Sequence, residues 1–296
     1  MKSKKILLTG VNGQVGHVLQ TTLAGLNVVG MSRDELDLSD VEAIRSVVRE
    51  VKPDLIINPA AYTAVDKAES EPDLAYAVNA VAPQVLAEEA ERIGSALIHF
   101  STDYVYDGNK ATAYIESDAV NPNSVYGKSK LAGEEAIQRV GLPHLILRTS
   151  WVYGAYGKNF LKTILRLAAE RDTLGIVSDQ FGAPTSSTSI AFALKALLTQ
   201  WDPTQNSASG VYHFTNADST SWHGFASEIV SQYQSLAKQP ALKVNTTDIA
   251  KLTTADYPTP AARPKNSCLD NGKLKQTFDI ALPTWQQGLQ EVMSRL

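Results

Sequence analysis

The fold of this chain is decided near its start, by the stretch Ile6-Leu7-Leu8-Thr9-Gly10-Val11-Asn12-Gly13-Gln14-Val15-Gly16. A short apolar run is followed by glycines spaced G-x-x-G-x-x-G and then by apolar residues at helical spacing. Such glycines permit a tight turn, close approach of the backbone to a pyrophosphate, and close packing of helix on strand. The free N–H groups of the helix N-terminus then face the phosphates. The residues predicted to bind a dinucleotide here are Gly10, Asn12, Gly13, Gln14, Val15 and Gly16.

The alternation of strand and helix continues downstream. Apolar runs predict strands at Ile6–Thr9, Val28–Met31, Leu55–Asn58, Leu97–Ser101 and Leu145–Thr149. Helical spacing predicts helices at Val15–Ala24, Val41–Val51 with Asp40 as N-cap, Asp73–Ile93 and Lys128–Val140. Apolar strands alternating with helices indicate a parallel sheet covered on both faces. The predicted fold class is therefore α/β, with a Rossmann-like doubly wound parallel sheet.

Beyond residue 150 the pattern loosens. Helices are predicted at Asn159–Glu170, Ser187–Gln200, Trp222–Leu236 and Thr284–Leu296, strands at Leu174–Val177 and Val211–Phe214, and an ordered loop at Thr253–Asn266. We predict an NAD(P)-binding Rossmann-like domain of residues 1–150, to which later segments around 174–214 contribute. Residues 151–296 would form a smaller, mainly substrate-binding part.

Composition and charge exclude several classes of protein. The chain has 296 residues and a net charge of −4, which provides no basic face for nucleic acid. The single cysteine, Cys268, cannot form an internal disulfide, which fits a reducing compartment, and we expect it to be inert. The apolar run after the basic residues 1–5 is too short for a secretory signal, and the chain lacks the ~20 apolar residues of a spanning helix. We expect a cytoplasmic protein that binds neither nucleic acid nor membrane.

The end of the second predicted strand bears on the choice of cofactor. An acid that binds the ribose would be expected there, but the chain has Ser32 followed by Arg33. A guanidinium at this place can meet a 2′-phosphate, which favours NADPH over NADH, with NADH still possible. The alternative is that Arg33 is an ordinary solvated surface residue.

A second motif carries chemistry. Tyr126 and Lys130 are spaced Tyr-x-x-x-Lys, so on a helix they share a face. An ammonium beside the phenol favours the phenolate and lowers the tyrosine pKa toward neutrality, which makes the tyrosine usable as an acid or base. The pair alone could be a chance feature of a helix surface. Thr102, however, ends the fourth strand, where ligands of open α/β sheets bind, and its hydroxyl is placed to bond a substrate carbonyl.

Matching stretches run nearly end to end and in order: Gly10–Gly16, Asn58–Glu69, Ser101–Tyr106, Tyr126–Lys130, Arg148–Tyr153, Asp179–Thr185 and Arg263–Ser267. On these stretches the chain resembles the dTDP-4-dehydrorhamnose reductase family of extended short-chain dehydrogenases. The resemblance implies NADPH-dependent reduction of the 4-keto group of dTDP-4-dehydro-L-rhamnose to dTDP-L-rhamnose, the final step of dTDP-rhamnose biosynthesis.

The resemblance also implies roles for individual residues. The implied catalytic residues are Thr102, Tyr126 and Lys130. The implied cofactor-lining residues are Ala60, Ala61, Tyr62 and Thr63, with Asp37 and Leu38 near the adenine and Tyr126 and Lys130 also on the cofactor. The expected substrate-binding residues are Thr102, Asp103, Tyr104, Tyr126 and Trp151.

Two other functions remain open at this point. The chain could be another sugar-nucleotide epimerase or dehydratase of the same superfamily, but dehydratases place an Asp-Glu pair after the threonine, and here Tyr104 follows Asp103. It could also be a non-catalytic regulatory subunit like that of methionine adenosyltransferase. The presence of Thr102, Tyr126 and Lys130 argues against this second alternative.

Metal binding is not expected. The five histidines lack ligand spacing, and His99, within a predicted strand, is expected to be a core residue. Part of the family carries a glutamate two residues after the third loop glycine, where it contributes to a magnesium-linked dimer. This chain has Val18 there, which cannot coordinate a hard cation. A role for Mg²⁺ is therefore doubtful, and we expect a monomer or a metal-independent homodimer.

Overall fold

The computed structural model describes residues 4–205 and 208–296, so the first three residues of the basic N-terminal segment lie outside it. The strands are β1 Lys5–Thr9, β2 Asn27–Met31, β3 Leu55–Asn58, β4 Ala96–Thr102, β5 His144–Thr149, β6 Val152–Tyr153, β7 Leu174–Val177, β8 Phe181–Gly182, β9 Thr185–Ser186, β10 Gly210–His213, β11 Thr220–Ser221, β12 Ile249–Leu252 and β13 Asn266–Ser267. The α-helices are α1 Gln14–Thr22, α2 Val41–Val51, α3 Val65–Ala68, α4 Pro72–Tyr76, α5 Ala82–Arg92, α6 Val125–Val140, α7 Phe160–Glu170, α8 Ser187–Gln200, α9 Trp222–Ser235, α10 Gly272–Phe278 and α11 Trp285–Met293.

The main sheet is parallel, with the strand order β10-β5-β4-β3-β1-β2. From β1 the chain crosses to β2 on one side and then returns to β3 on the other. The order therefore reverses between β1 and β3, which is the point where ligands of doubly wound sheets bind. The loops that follow β1 and β3 meet at this point.

Both faces of the sheet are covered, because side chains alternate along each strand. Leu7 of β1 and Ile56 of β3 face one hydrophobic cluster, which α2, α5 and α6 cover. Leu8 of β1 and Ile57 of β3 face the other cluster, covered by α1, α8 and α10. The predicted fold class, an α/β Rossmann-like doubly wound sheet, is confirmed.

A second lobe has its own core, formed by α7, α9 and α11 with β7 and β12. Of the segment around 174–214, β10 joins the main sheet and α8 covers it, whereas β7 pairs with β12 instead. The division into a dinucleotide part and a substrate part remains a prediction. No helix within residues 4–205 or 208–296 is long and apolar enough to cross a membrane.

One predicted helix, Asp73–Ile93, is divided. A π-helical segment at Ala77–Val81 lies between α4 and α5. Pro83 has no N–H to donate, so the regular bond to the carbonyl of Asn79 cannot form. That carbonyl oxygen instead lies against α6, where a Cβ built on Gly133 would come within 2.2 Å of it. Single-turn π segments often occur at functional sites, and this one supports the cofactor loop described below.

Candidate active site

The glycine loop after β1 is fitted against the loop after β3. Gly10 has a φ of +61°, and a Cβ on it would lie 2.8 Å from Cβ of Ala60. A Cβ on Gly16, at the start of α1, would lie 2.1 Å from the carbonyl oxygen of Gly10. Larger residues would therefore push these two loops and the helix apart. The arrangement places the N-terminus of α1 at the switch point of the sheet.

A cavity of about 620 Å³ opens at this switch point. Every residue predicted to bind the cofactor except Ser32 lines this cavity. These lining residues are Gly10, Asn12, Gly13, Gln14, Val15, Gly16, Arg33, Asp37, Leu38, Ala60, Ala61, Tyr62, Thr63, Tyr126 and Lys130. The structure thus brings together residues that are far apart in the sequence. The cleft is lined by the glycine loop at the start of α1, by Arg33 and Asp37 after β2, and by Tyr126 and Lys130 of α6, a set that fits an extended dinucleotide.

Near the end of β2, one residue that was predicted to bind the cofactor lies outside the cavity lining. Ser32 does not line the cavity, because its backbone N–H donates to Oε2 of Glu35 at 2.7 Å and closes a turn. Arg33 is exposed and lines the cavity. Asp37 accepts from the backbone N–H of Ser39 at 2.9 Å, which holds the pKa of its carboxyl below the usual value.

The loop after β3 is held by a residue that the sequence did not indicate. The buried amide of Asn79, in the π segment, accepts from the N–H of Tyr62 at 2.9 Å and donates to its carbonyl at 3.1 Å. It also donates to Oγ of Ser129 on α6 at 3.1 Å. Asn79 therefore ties the cofactor-lining loop to the helix that carries Tyr126.

The catalytic candidates lie where β4 ends and α6 begins. Thr102 is the last residue of β4, and Tyr126 is in the first turn of α6, capped by Ser124. Gly127 allows close approach, because a Cβ there would lie 2.3 Å from the carbonyl oxygen of Tyr104. The rings of Tyr104 and Tyr126 meet edge to face, with centroids 5.5 Å apart. Thr102, Tyr104 and Tyr126 thus form one contiguous group.

The pKa of Tyr126 differs from the prediction. Burial raises it to about 12, with a hydrogen bond between the Thr102 and Tyr126 side chains opposing the rise. The sequence predicted a lowering by Lys130. The cost of removing a phenolate from water outweighs the stabilisation that a nearby ammonium could give. The Lys130 ammonium donates to other partners instead. Tyr126 therefore keeps its proton at neutral pH, which suits a proton donor.

Lys130 is almost fully buried. Its Nζ donates to the carbonyl oxygen of Phe100 at 2.6 Å and lies 3.1 Å from Nε2 of His99. Burial lowers the pKa of Lys130 to about 8, and the nearby carboxylate of Glu134 opposes this shift. The amine is thus close to titration at physiological pH while still largely protonated. His99 is buried as predicted, but its polar contact with Lys130 was not anticipated.

Asp103 follows Thr102 in a short 3₁₀ turn and is buried. Its Oδ1 accepts from the Thr102 hydroxyl at 3.0 Å, and its Oδ2 has no hydrogen-bond partner among the described residues. Burial raises the pKa of this carboxyl to about 6, and hydrogen bonding with the side chains of Ser267 and Thr102 opposes the rise. An unpaired buried carboxylate oxygen is costly unless a ligand donor reaches it.

Trp151 begins the lobe beyond β5, in a left-handed conformation with φ of +49°. Its ring stacks on Trp222, the first residue of α9, with centroids 3.5 Å apart. A Cβ on Gly182 would come within 2.6 Å of the Trp151 ring. Trp222 was not singled out from the sequence, since no local pattern relates it to Trp151.

A loop after β6 was also missed. Gly157 and Lys158 line the cavity, and a Cβ on Gly157 would lie 3.2 Å from Cγ of Gln14 at the start of α1. The loop is attached to α1 through Asn159, whose amide donates to Oε1 of Gln14 at 2.9 Å, and through the stacked rings of Tyr156 and His17. The closely spaced glycines Gly154 and Gly157 were the signal that could have indicated a loop near a ligand.

A metal centre is not apparent in the part of the chain that the structure describes, since no group of three or more His, Cys, Asp or Glu side chains is placed to hold an ion. Cys268 is half-buried, and burial raises the pKa of its thiol.

Comparisons with known proteins agree with this geometry. The family model described as the RmlD substrate binding domain matches residues 4–296. The dTDP-4-dehydrorhamnose reductase of Burkholderia thailandensis is 49% identical over 286 residues, covering 95% of each chain. That of Escherichia coli K12 is 41% identical over 300 residues, covering 98% of this chain and 97% of the relative. The crystal structure of dTDP-4-dehydrorhamnose reductase from Bacillus anthracis in complex with NADP superposes with a TM-score of 0.90 at 34% identity, covering 99% of this chain and 100% of that chain.

Proposed function

The chain belongs to the RmlD substrate binding domain family, and on this premise we propose that it uses NADPH to reduce the 4-keto group of dTDP-4-dehydro-L-rhamnose. The product would be dTDP-L-rhamnose, the end of dTDP-rhamnose biosynthesis. The observation that carries the proposal is the placement of Thr102, Tyr126 and Lys130 beside the glycine-loop cavity. Relatives that match nearly the whole chain bear the name of this reductase.

NADPH would occupy the cavity at the switch point, and when bound it supplies the hydride. The fit rests on the glycine loop: a Cβ on Gly10 would clash with Ala60 and one on Gly16 with the Gly10 carbonyl, so glycine is needed for the loop and α1 to pack this closely. The N–H groups at the start of α1 would receive the pyrophosphate, and the Lys158 ammonium lines the same cavity. Arg33 would receive the 2′-phosphate.

Tyr126 would act as the general acid. Since its pKa is raised, it holds a proton that it can give to the oxygen of the reacting carbonyl. Thr102 would hold that oxygen by a hydrogen bond as negative charge develops on it. The Lys130 ammonium, buried beside this group, would stabilise the phenolate that remains on Tyr126 and hold the nicotinamide ribose.

The sugar would contact the residues next to this group. The Oδ2 atom of Asp103 is unpaired and can accept from a sugar hydroxyl. Tyr104 and Trp151 would supply the apolar walls.

We also propose that the dinucleotide part is formed mainly by residues 1–150, and the substrate part mainly by residues 151–296. A substrate enclosed between two lobes is shielded from water during the reaction.

Charge and composition bear on where the protein acts and what it binds. A net charge of −4 offers no electrostatic attraction to nucleic acid. We propose a cytoplasmic protein that is a monomer or a metal-independent homodimer and binds neither nucleic acid nor membrane.

The test is NADPH oxidation with dTDP-4-dehydro-L-rhamnose as the substrate. The wild-type protein is expected to turn over. The Tyr126→Phe variant loses only the proton donor, so its kcat should fall about 10²–10⁴-fold with little change in NADPH binding. Tyr233→Phe, a buried tyrosine of α9 in the second lobe, is the matched control and should stay near wild-type activity. A wild-type protein without activity on this substrate would refute the proposed function. Retention of more than about a tenth of turnover by Tyr126→Phe, with chemistry rate-limiting, would eliminate Tyr126 as the acid.

A further inference from the structure

A chain of buried polar side chains runs behind Lys130, across the carboxyl ends of the central strands. Nε2 of His99 lies 3.1 Å from Nζ of Lys130, and Nδ1 of His99 lies 3.1 Å from the Asn58 amide nitrogen. The other end of the Asn58 amide lies 2.6 Å from the Thr9 hydroxyl. These four residues have at most 1% of their surface exposed. They come from α6, β4, β3 and β1, so the set of contacts links the two strands that flank the switch point to the helix that carries Lys130.

The charge of His99 follows from its surroundings. Burial and the adjacent Lys130 cation both hold the pKa of His99 well below its usual value, so the ring is neutral. A neutral imidazole has one N–H and one free acceptor nitrogen. An ammonium carries only donors, so the nitrogen that faces it has to be the acceptor.

The direction of each hydrogen bond can therefore be assigned. With Nε2 accepting from Lys130, the ring proton lies on Nδ1 and points at Asn58. The two ends of an amide are nearly equal in size, and a half-turn about the terminal bond presents the Asn58 oxygen to His99 and the NH₂ to Thr9. The Nδ1–H of His99 then has an acceptor in the Asn58 oxygen, and the Asn58 NH₂ donates to the Thr9 oxygen.

We propose that His99 is the positioning residue of Lys130: as the neutral Nδ1–H tautomer it accepts a hydrogen bond from the lysine ammonium and, together with the Phe100 carbonyl, fixes that ammonium in the active site. Two N–H groups of Lys130 are committed to the sheet, which leaves the third for the cavity that Lys130 lines. This inference rests on the proposed function, which gives Lys130 its catalytic role.

Other charged groups near Lys130 cannot replace His99. Tyr126 and Glu134 lie on the same helix, one turn to either side in sequence, and Tyr126 keeps its proton. The Glu134 carboxylate is already paired with the Arg148 guanidinium of β5, whose Nε lies 2.9 Å from its Oε1. His99 of β4 is therefore the side-chain acceptor placed to hold the ammonium directly.

The tautomer can be measured without any assay of activity. In the wild-type protein, ¹⁵N-histidine spectra correlated with the ring protons distinguish Nδ1–H from Nε2–H, and the His99→Gln variant assigns the signal. We expect His99 to stay in the Nδ1–H form between about pH 6 and pH 8. An Nε2–H tautomer or an imidazolium in this range would overturn the proposal, even if the enzyme is the proposed reductase.

Variants test the consequence for Lys130. His99→Leu removes the acceptor, so the charged amine is less favoured and its pKa falls. We expect kcat/KM for NADPH to drop about tenfold and the alkaline limb of the pH profile to move down by about one unit. His99→Gln restores an acceptor oxygen and should recover most of both effects. His144→Leu, another buried histidine at the far end of the neighbouring strand, is the control and should leave the profile in place.

The outcomes separate the two proposals. An unchanged pH profile in folded His99→Leu, or no recovery in His99→Gln, would show that His99 is only a packing residue. If the wild-type protein lacks reductase activity, the proposed function fails, while the tautomer measurement still decides the contact between His99 and Lys130. If His99→Leu does not fold, the same spectra of the wild-type protein decide.

Discussion

At the scale of single residues, we expect Arg33 to set the preference between NADPH and NADH. It lies exposed just after β2 and lines the cavity. If it receives the 2′-phosphate, Arg33→Ala loses a charge-assisted hydrogen bond that contributes about 1.5–3 kcal/mol. The preference for NADPH over NADH should therefore fall by about 10- to 100-fold.

Specificity constants for both cofactors check this expectation in the wild type and the variant. Arg139→Ala, an exposed arginine of α6, serves as the control and should leave the ratio unchanged. A wild-type preference for NADH, or an unaltered ratio in Arg33→Ala, would assign Arg33 to the solvated surface instead.

Asp103 makes the stability of the protein depend on pH. Burial raises its pKa to about 6, whereas the unfolded chain has the ordinary value of 3.8. Between about pH 4 and pH 6 the native state binds more protons than the unfolded state, so the free energy of unfolding falls as the pH rises. The ionised carboxylate thereby costs the native state about 3 kcal/mol at pH 7.

Asp103→Asn cannot ionise and avoids this loss. We expect the variant to be more stable than wild type by about 1–3 kcal/mol at pH 7, with the advantage disappearing near pH 4. Urea unfolding across this range measures the difference, and Asp172→Asn, an exposed carboxyl, should show no such trend. A difference that does not vary with pH would mean that Asp103 titrates normally.

Among the elements, α2 and α5 are joined by an ionic cluster around one carboxylate. Glu89 of α5 is 2% exposed, and its Oε1 lies 2.9 Å from Nη1 of Arg45 and 2.6 Å from Nη2 of Arg49. These arginines of α2 hold the pKa of Glu89 at about 2, and Arg49 has the largest effect. The cluster fixes the two helices against the same face of the sheet.

Glu89→Gln should destabilise the protein at pH 7 by about 1–2 kcal/mol, since the arginines remain partly hydrated. A depressed pKa stabilises the native state above about pH 4.5, and this contribution disappears as the pH falls toward 2. Denaturation at pH 7 and at pH 3 should therefore show a smaller difference between variant and wild type at the lower pH. Glu88→Gln, whose carboxyl is more exposed, is the control and should change stability by a few tenths of a kcal/mol. Equal destabilisation by Glu89→Gln and Glu88→Gln would show that Glu89 is not the main partner of the α2 arginines.

At the scale of the whole molecule, we expect the assembly state of the protein to be independent of metal ions. Val18 of α1 packs against the hydrophobic cluster on that face of the sheet. A valine offers no oxygen to a hard cation. We expect the mass in light scattering to be the same with and without EDTA, whether the protein is a monomer or a dimer. A dimer that dissociates on chelation would contradict this expectation and place a metal between the subunits.

Much of the fold could be predicted because it depends on local pattern. The bounds of β3 and α2 agree with their predicted ranges, and Asp40 caps α2 by accepting from the N–H groups of Glu42 and Ala43. Apolar periodicity determines which face of a strand or helix is buried, and that information lies within a few residues. The glycine loop could be placed for the same reason, since its spacing describes a strand, a turn and a helix in direct succession.

The chemistry of the site was decided by tertiary contacts. The raised pKa of Tyr126 results from burial by several elements, and spacing to Lys130 alone predicted the opposite direction. The stacking of Trp151 on Trp222 joins segments that no local pattern relates. The partner of Lys130, His99, comes from a different strand and faces it only when β4 and α6 are assembled.

The sequence by itself therefore determined the class of fold, the order of the elements along the first 150 residues, and the residue types available for chemistry. Only the tertiary structure decided their protonation and their partners. The physical reason is that hydrophobic periodicity is a property of neighbouring residues, whereas desolvation and hydrogen bonding depend on groups that the folded sheet brings together from distant parts of the chain.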